Sequence, residues 1–121
     1  MNWGFKEGLF FFFFNTYDKM QNIITGEIEK YAPEYEYALV PLGPAWQEAR
    51  TLKPEIPLWH NDSMHPAMHG TYLSACVLYS YIFNESPLGA EYCATIPAED
   101  AEFLQKTAYD TVVAYRDRLQ N

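Results

Sequence analysis

The hydrophobic positions of this chain change period several times, and each change marks an element. Over residues 16–31, Tyr17, Met20, Ile24, Ile28 and Tyr31 recur at the spacing of one helical face. Asn15 or Thr16 can cap that helix, Gly26 weakens it slightly, and Pro33 ends it. Residues 35–42 finish in the unbroken apolar stretch Ala38-Leu39-Val40-Pro41-Leu42, which predicts a strand covered on both faces. Gly43-Pro44 then turns the chain into a short helix carrying Trp46, with Pro44 in its first turn. Pro54 and Pro57 mark a loop, with a short extended piece over 56–59.

A second long helix is predicted over 67–83, with Tyr72, Cys76, Tyr79 and Phe83 on one face, followed by a loop over 84–89. The last helix starts at Pro97 and carries Glu99, Asp100 and Glu102 in its first turn, where acids favour the helix dipole. Its apolar face is Phe103/Leu104, Ala108, Val112, Tyr115 and Leu119, and Arg116 and Arg118 lie near its C-terminal end. Residues 1–14 read as a stub and loop broken by Gly4 and Gly8, then the run Leu9 followed by Phe10, Phe11, Phe12, Phe13 and Phe14. That run reads as a buried or interface strand, since five exposed phenylalanines would invite aggregation. An apolar wall beside an acyl or sugar site is the rival reading.

The pattern therefore gives four helices and one strand. A lone strand that is apolar on both faces needs others to pair with and helices to cover it. The expectation is a single, incomplete α/β domain over 1–121 whose partner strands lie in an absent N-terminal part or in another chain.

Composition narrows the function classes. A chain of 121 residues that is 49% hydrophobic forms one packed domain. A formal net charge of −8 repels phosphate backbones, which argues against a nucleic-acid partner. No apolar run is long enough to span a bilayer, and the Phe run lacks the flanks of a signal peptide. Cys76 lies in an apolar helical run and reads as a small buried thiol; with Cys93 it makes no disulfide framework.

Chemistry concentrates in His60-Asn61-Asp62-Ser63-Met64-His65-Pro66. At this spacing the Asp62 carboxylate can accept a hydrogen bond from one ring nitrogen of His65, fixing the tautomer and leaving the other nitrogen as a base. Spacing alone favours a plainer reading, in which Asp62 caps the following helix and His65 packs at its start. His60, Asp62, His65 and His69 also form a candidate zinc set, although Pro66 and Gly70 argue against placing His65 on a helix. Trp3, Trp46 and Trp59 read as core anchors, with Trp59 near the histidine loop.

The stretch Val40-Pro41-Leu42-Gly43-Pro44-Ala45-Trp46, followed by Asp62-Ser63-Met64-His65-Pro66-Ala67-Met68-His69-Gly70-Thr71-Tyr72-Leu73, resembles the C-terminal part of a serine ester hydrolase of the SGNH (GDSL-type) family, in a bacterial subgroup. Ser86-Pro87-Leu88-Gly89, Leu104-Gln105 and the Asp18-x-Met20-Gln21 region are similar too, so the resemblance spans most of the chain in order. It implies a three-layer α/β/α, flavodoxin-like sandwich around a parallel sheet. It also implies hydrolysis of small-molecule or carbohydrate esters without metal or cofactor, with His65 as general base and Asp62 orienting it. Gly70 and Thr71 would let the helix start close to the sheet. The family's Gly-Asp-Ser block and its oxyanion-donating Gly and Asn have no counterpart here, and Ser63, Ser74, Ser80 and Ser86 lack that context. Trp3-Gly4 resembles the segment just after the Asn block. The chain is thus expected to keep the Asp62–His65 pair but to be inactive alone. The rival class is a non-catalytic helical module that self-associates, burying the Phe run and pairing the strand between copies.

Overall fold

A computed structural model describes residues 16–120; the Phe10–Phe14 run and Trp3-Gly4 lie outside the described residues. The described residues form four helices: α1 (Tyr17–Tyr31), α2 (Leu42–Leu52), α3 (Met68–Phe83) and α4 (Ala98–Gln120). The described residues contain no strand, which overturns the expected α/β sandwich. Residues 32–36 form a turn, Glu36 takes a left-handed conformation (φ 57°), and 37–41 belong to no helix or strand, ending in a tight turn in which the Leu42 N–H donates to the Val40 carbonyl at 2.9 Å. Apolar side chains forecast to face two helical layers of a sheet find helices instead: Val40 and Leu42 pack against the core, and Pro41 is fully buried. The apolar run identified a segment that must be covered, and a segment without a neighbouring strand has no ladder to join.

Helix ends follow the local chemistry. The Thr16 hydroxyl accepts the Lys19 N–H at 3.0 Å, satisfying one of the unpaired donors of α1. Helix α2 begins at Leu42, earlier than the Gly43-Pro44 turn suggested. Pro97 stands just before α4, and its carbonyl accepts the Ala101 N–H at 3.0 Å. Asn84 closes α3 in the left-handed conformation (φ 54°), a cap that Asn tolerates better than most residues.

The core lies where α2, α3 and α4 meet. Ala45 and Ala49 of α2, Leu73 and Val77 of α3, and Leu104, Ala108 and Val112 of α4 are all fully buried, with Leu58 from the intervening loop beside them. The two α2 alanines let that helix lie close to its neighbours. The α4 face agrees with the sequence periodicity except at Leu119, which is exposed. The α1 face does not agree: Tyr17 is buried, but Ile24, Ile28 and Tyr31 are exposed and Gln21 takes an inside position. Helix α1 rests on α2 and is tied to α4 through Glu29, which accepts hydrogen bonds from the Tyr115 hydroxyl and the Arg118 guanidinium.

A buried polar clamp holds the loop between α3 and α4. Gln105 donates to the Tyr72 hydroxyl at 2.8 Å and accepts the Gly89 N–H at 3.0 Å. Tyr72 in turn donates to the Tyr92 carbonyl at 2.7 Å.

Candidate functional site

The His60–Pro66 segment is the closed end of a small hairpin. Residues 58–60 and 65–67 run antiparallel: the Ala67 N–H donates to the Leu58 carbonyl and the His60 N–H to the His65 carbonyl, both at 2.9 Å, around the Trp59–Pro66 bridge. Pro66 is tolerated there because it occupies the pair that exchanges no N–H bonds. The Ser63 N–H reaches back to the His60 carbonyl at 2.9 Å, and Ser63 itself is buried with φ 56°.

Asp62 organises this turn. Its Oδ1 accepts the backbone N–H groups of Met64 at 2.9 Å and His65 at 3.0 Å, the local bonding that makes Asp a turn residue. Its Oδ2 lies 2.5 Å from His65 Nδ1. The hydrogen bond from the His65 ring, then those from the backbones of His65 and Met64, hold the Asp62 carboxyl well below the usual carboxylate range. An ionised carboxylate only accepts, so Nδ1 bears the proton and the neutral ring keeps its lone pair on Nε2. The His65 side chain is 72% exposed, which leaves that nitrogen open to an approaching group.

Neither part of the plainer sequence reading describes this geometry. Helix α3 starts at Met68 with Ala67 as its cap residue, so Asp62 caps the turn rather than the helix, and His65 is not packed. The candidate zinc set also disperses. His69 Nε2 turns to Asp100 Oδ2 at 2.8 Å, joining the starts of α3 and α4, and His60 is exposed on the hairpin. Among the described residues no group of three or more His, Cys, Asp or Glu side chains is placed to hold a metal ion.

The hairpin is aimed by what lies beneath it. Trp59 packs edge-on against Trp46, with ring centroids 5.0 Å apart, and against Tyr17 at 5.4 Å. Trp46 Nε1 donates to the Ser74 hydroxyl at 2.9 Å, fixing the indole on α3. Arg50 lies over the Tyr17 ring at 4.6 Å, and burial pushes the Tyr17 phenol up to about 12 against the opposing pull of that guanidinium. A cleft of about 640 Å³ opens beside the hairpin, lined by Arg50, Pro57, Trp59, His60, Asn61 and Ser63 among others. Neither Asp62 nor His65 lines this cleft. A larger cleft of about 920 Å³ lies between α1, α2 and α4, with Asp18, Gln47, Lys106 and Arg118 on its walls; neither Asp62 nor His65 lines it.

Ser74 accepts from Trp46, Ser80 donates to the Cys76 carbonyl, and Ser86 accepts the Leu88 N–H, so each of these hydroxyls has a local structural bond. Sequence reasoning missed the role of Asp100, whose place in a first turn looked like a dipole acid, and the cleft contribution of Arg50. Neither carries a local signal, because both act on residues distant in the chain. No described helix is long and apolar enough to cross a membrane. Comparisons with protein-family models, curated proteins and solved structures found no match.

Proposed function

We propose that the 58–67 hairpin carries the proton-handling half of a serine-type ester hydrolase centre. The observation that supports it is the Asp62–His65 pair: Nδ1 bound at 2.5 Å to a carboxylate that stays ionised, and Nε2 open to solvent. The resemblance of Asp62-Ser63-Met64-His65-Pro66 and its downstream Gly70-Thr71-Tyr72-Leu73 to the SGNH family points to the same chemistry.

In this reading His65 Nε2 removes the proton from a nucleophilic hydroxyl as its oxygen attacks the ester carbonyl. Asp62 stabilises the imidazolium that forms. The ring then returns the proton to the leaving alkoxide, and the same cycle with water releases the acyl group. The nucleophile and oxyanion donors come from polypeptide other than residues 16–120. A pair this exposed works in high dielectric and lacks the largest electrostatic contribution to acyl transfer, so 16–120 alone turns over little ester.

The test is hydrolysis of p-nitrophenyl acetate by the chain alone and by the chain joined to whatever coding sequence lies upstream of it. The chain alone should not exceed free imidazole at equal concentration. The joined protein should turn over the ester and lose that activity in His65→Ala. Turnover that survives His65→Ala, or a joined protein with no turnover, would overturn the proposal.

A further inference from the structure

Helix α1 leaves its apolar stripe in solvent. Met20, Ile24, Ile28 and Tyr31 recur at helical spacing, yet Ile24 is 41%, Tyr31 43% and Ile28 51% exposed. Apart from buried Tyr17, the side chains that tie this helix to the others are polar. Asp18 and Asn22 accept hydrogen bonds from the Gln47 amide at 3.1 and 3.2 Å, and Glu29 accepts from Tyr115 and Arg118. A helix of 15 residues is marginal by itself and draws its stability from burying an apolar face. On α1 that face still has to be covered.

The chain carries an apolar segment right beside the stripe. Leu9 to Phe14 has no polar side chain and is joined to α1 through Asn15 and the Thr16 cap alone. The residue before a helix cap commonly packs back onto the fourth helical residue, which here is Met20. Asn15 is polar, so Phe14 is the first upstream side chain suited to that contact. A chain that folds back in this way runs along the helix. From Thr16 back to Phe10, six residues of extended chain cover about 20 Å, and from Thr16 on to Ile28, twelve residues of helix cover about 18 Å. The far end of the run thus has the reach to meet the far end of the stripe.

The tether also selects the occupant. A link this short holds the run at an effective concentration on the order of millimolar beside the stripe, above that of a free second copy in dilute solution. We propose that Leu9–Phe14 docks along Met20, Ile24, Ile28 and Tyr31 of its own chain. Helix α1 then lies between the core on one side and its own upstream segment on the other, and the phenylalanines are held back from pairing between chains.

Photo-cross-linking of the full chain, with p-benzoylphenylalanine at position 10, tests this. The product should keep the monomer mass, close to 14.1 kDa. Trypsin, cutting after Lys6, Lys19 and Lys30, should then yield the 7–19 peptide attached to 20–30 at Ile28, or to the next peptide at Tyr31. Attachment to other helices, a product only at twice the monomer mass, or no product would each overturn the proposal. Urea unfolding gives a second readout. Ile28→Lys should lower the midpoint, and that loss should shrink in a chain that already carries Phe10→Ser and Phe12→Ser. A midpoint unchanged by Ile28→Lys, or a loss of the same size in both backgrounds, would mean that the run does not cover the stripe.

Discussion

Gly70 lies against the Leu58 carbonyl with no room between them for a β-carbon, and the Trp46 ring closes the same space. The start of α3 is thereby pressed onto the base of the hairpin that presents Asp62 and His65. Alanine at this position would gain roughly 1 kcal/mol of helix propensity. It would also force a backbone oxygen or an indole anchored on Ser74 to move, and overpacking of that kind costs about 1–3 kcal/mol. The obstruction should win. Gly70→Ala is expected to lower the urea midpoint without changing the denaturant slope; a midpoint equal to or above that of the parent would contradict this packing.

Asp62 should remain ionised at a pH where an unperturbed carboxyl takes up its proton. Its folded pKa is depressed by the His65 ring and the two backbone donors, so its contribution to stability is present above the unfolded value of about 3.9 and is lost as pH falls through the folded one. Carboxyl carbon shifts followed by NMR should show Asp62 titrating below the usual carboxylate range. In Asp62→Asn the ring loses its anionic partner, and nitrogen shifts should show the fixed Nδ1–H form giving way to a mixture of tautomers. An unchanged tautomer would mean that Asp62 does not orient the ring.

The second histidine–carboxylate pair should behave as structure. His69 and Asp100 are both mostly buried, with side-chain exposures of 15% and 27%, and they bridge the starts of α3 and α4. Removing the acceptor in Asp100→Ala should cost about 1–3 kcal/mol in denaturant unfolding. It should leave the tautomer of His65 untouched. A change at His65 would show that the two pairs communicate.

The two thiols should separate cleanly. Burial pushes the Cys76 thiol up to about 11, while Cys93 is only half-buried. A thiol reagent at neutral pH should label Cys93 in the native protein and reach Cys76 only in denaturant, because the thiolate is the reactive form and the folded core suppresses it. Equal native rates would mean that the α3 inner face opens readily.

Helices were legible in this sequence because their signals are local: a threonine three residues before an N–H it can accept, acids in a first turn, and an apolar residue every third or fourth position. The burial of Leu104, Ala108 and Val112 follows from spacing alone. The segment 35–42 misleads because an apolar run reports only that it is covered, not what covers it, and here helices do so without a ladder. On α1 the periodic isoleucines point outward, since tertiary contacts chose the Tyr17 and Gln21 face. At the candidate site, the proximity of Asp62 and His65 was readable from their spacing. The hairpin that exposes them was not, because its register depends on bonds between Leu58 and Ala67 and between His60 and His65.

The hydrogen bonds that tie His65 to Asp62 and close the hairpin fall within residues 58 to 67, while the packing of Trp59 on Trp46 and Tyr17 aims the hairpin as a whole. Such an arrangement owes little to loop closure across the chain, so it can assemble early and survive partial opening of the helices around it. The imidazole and its carboxylate therefore form a portable unit, one that recombination could carry between scaffolds without having to rebuild the alignment of the two groups.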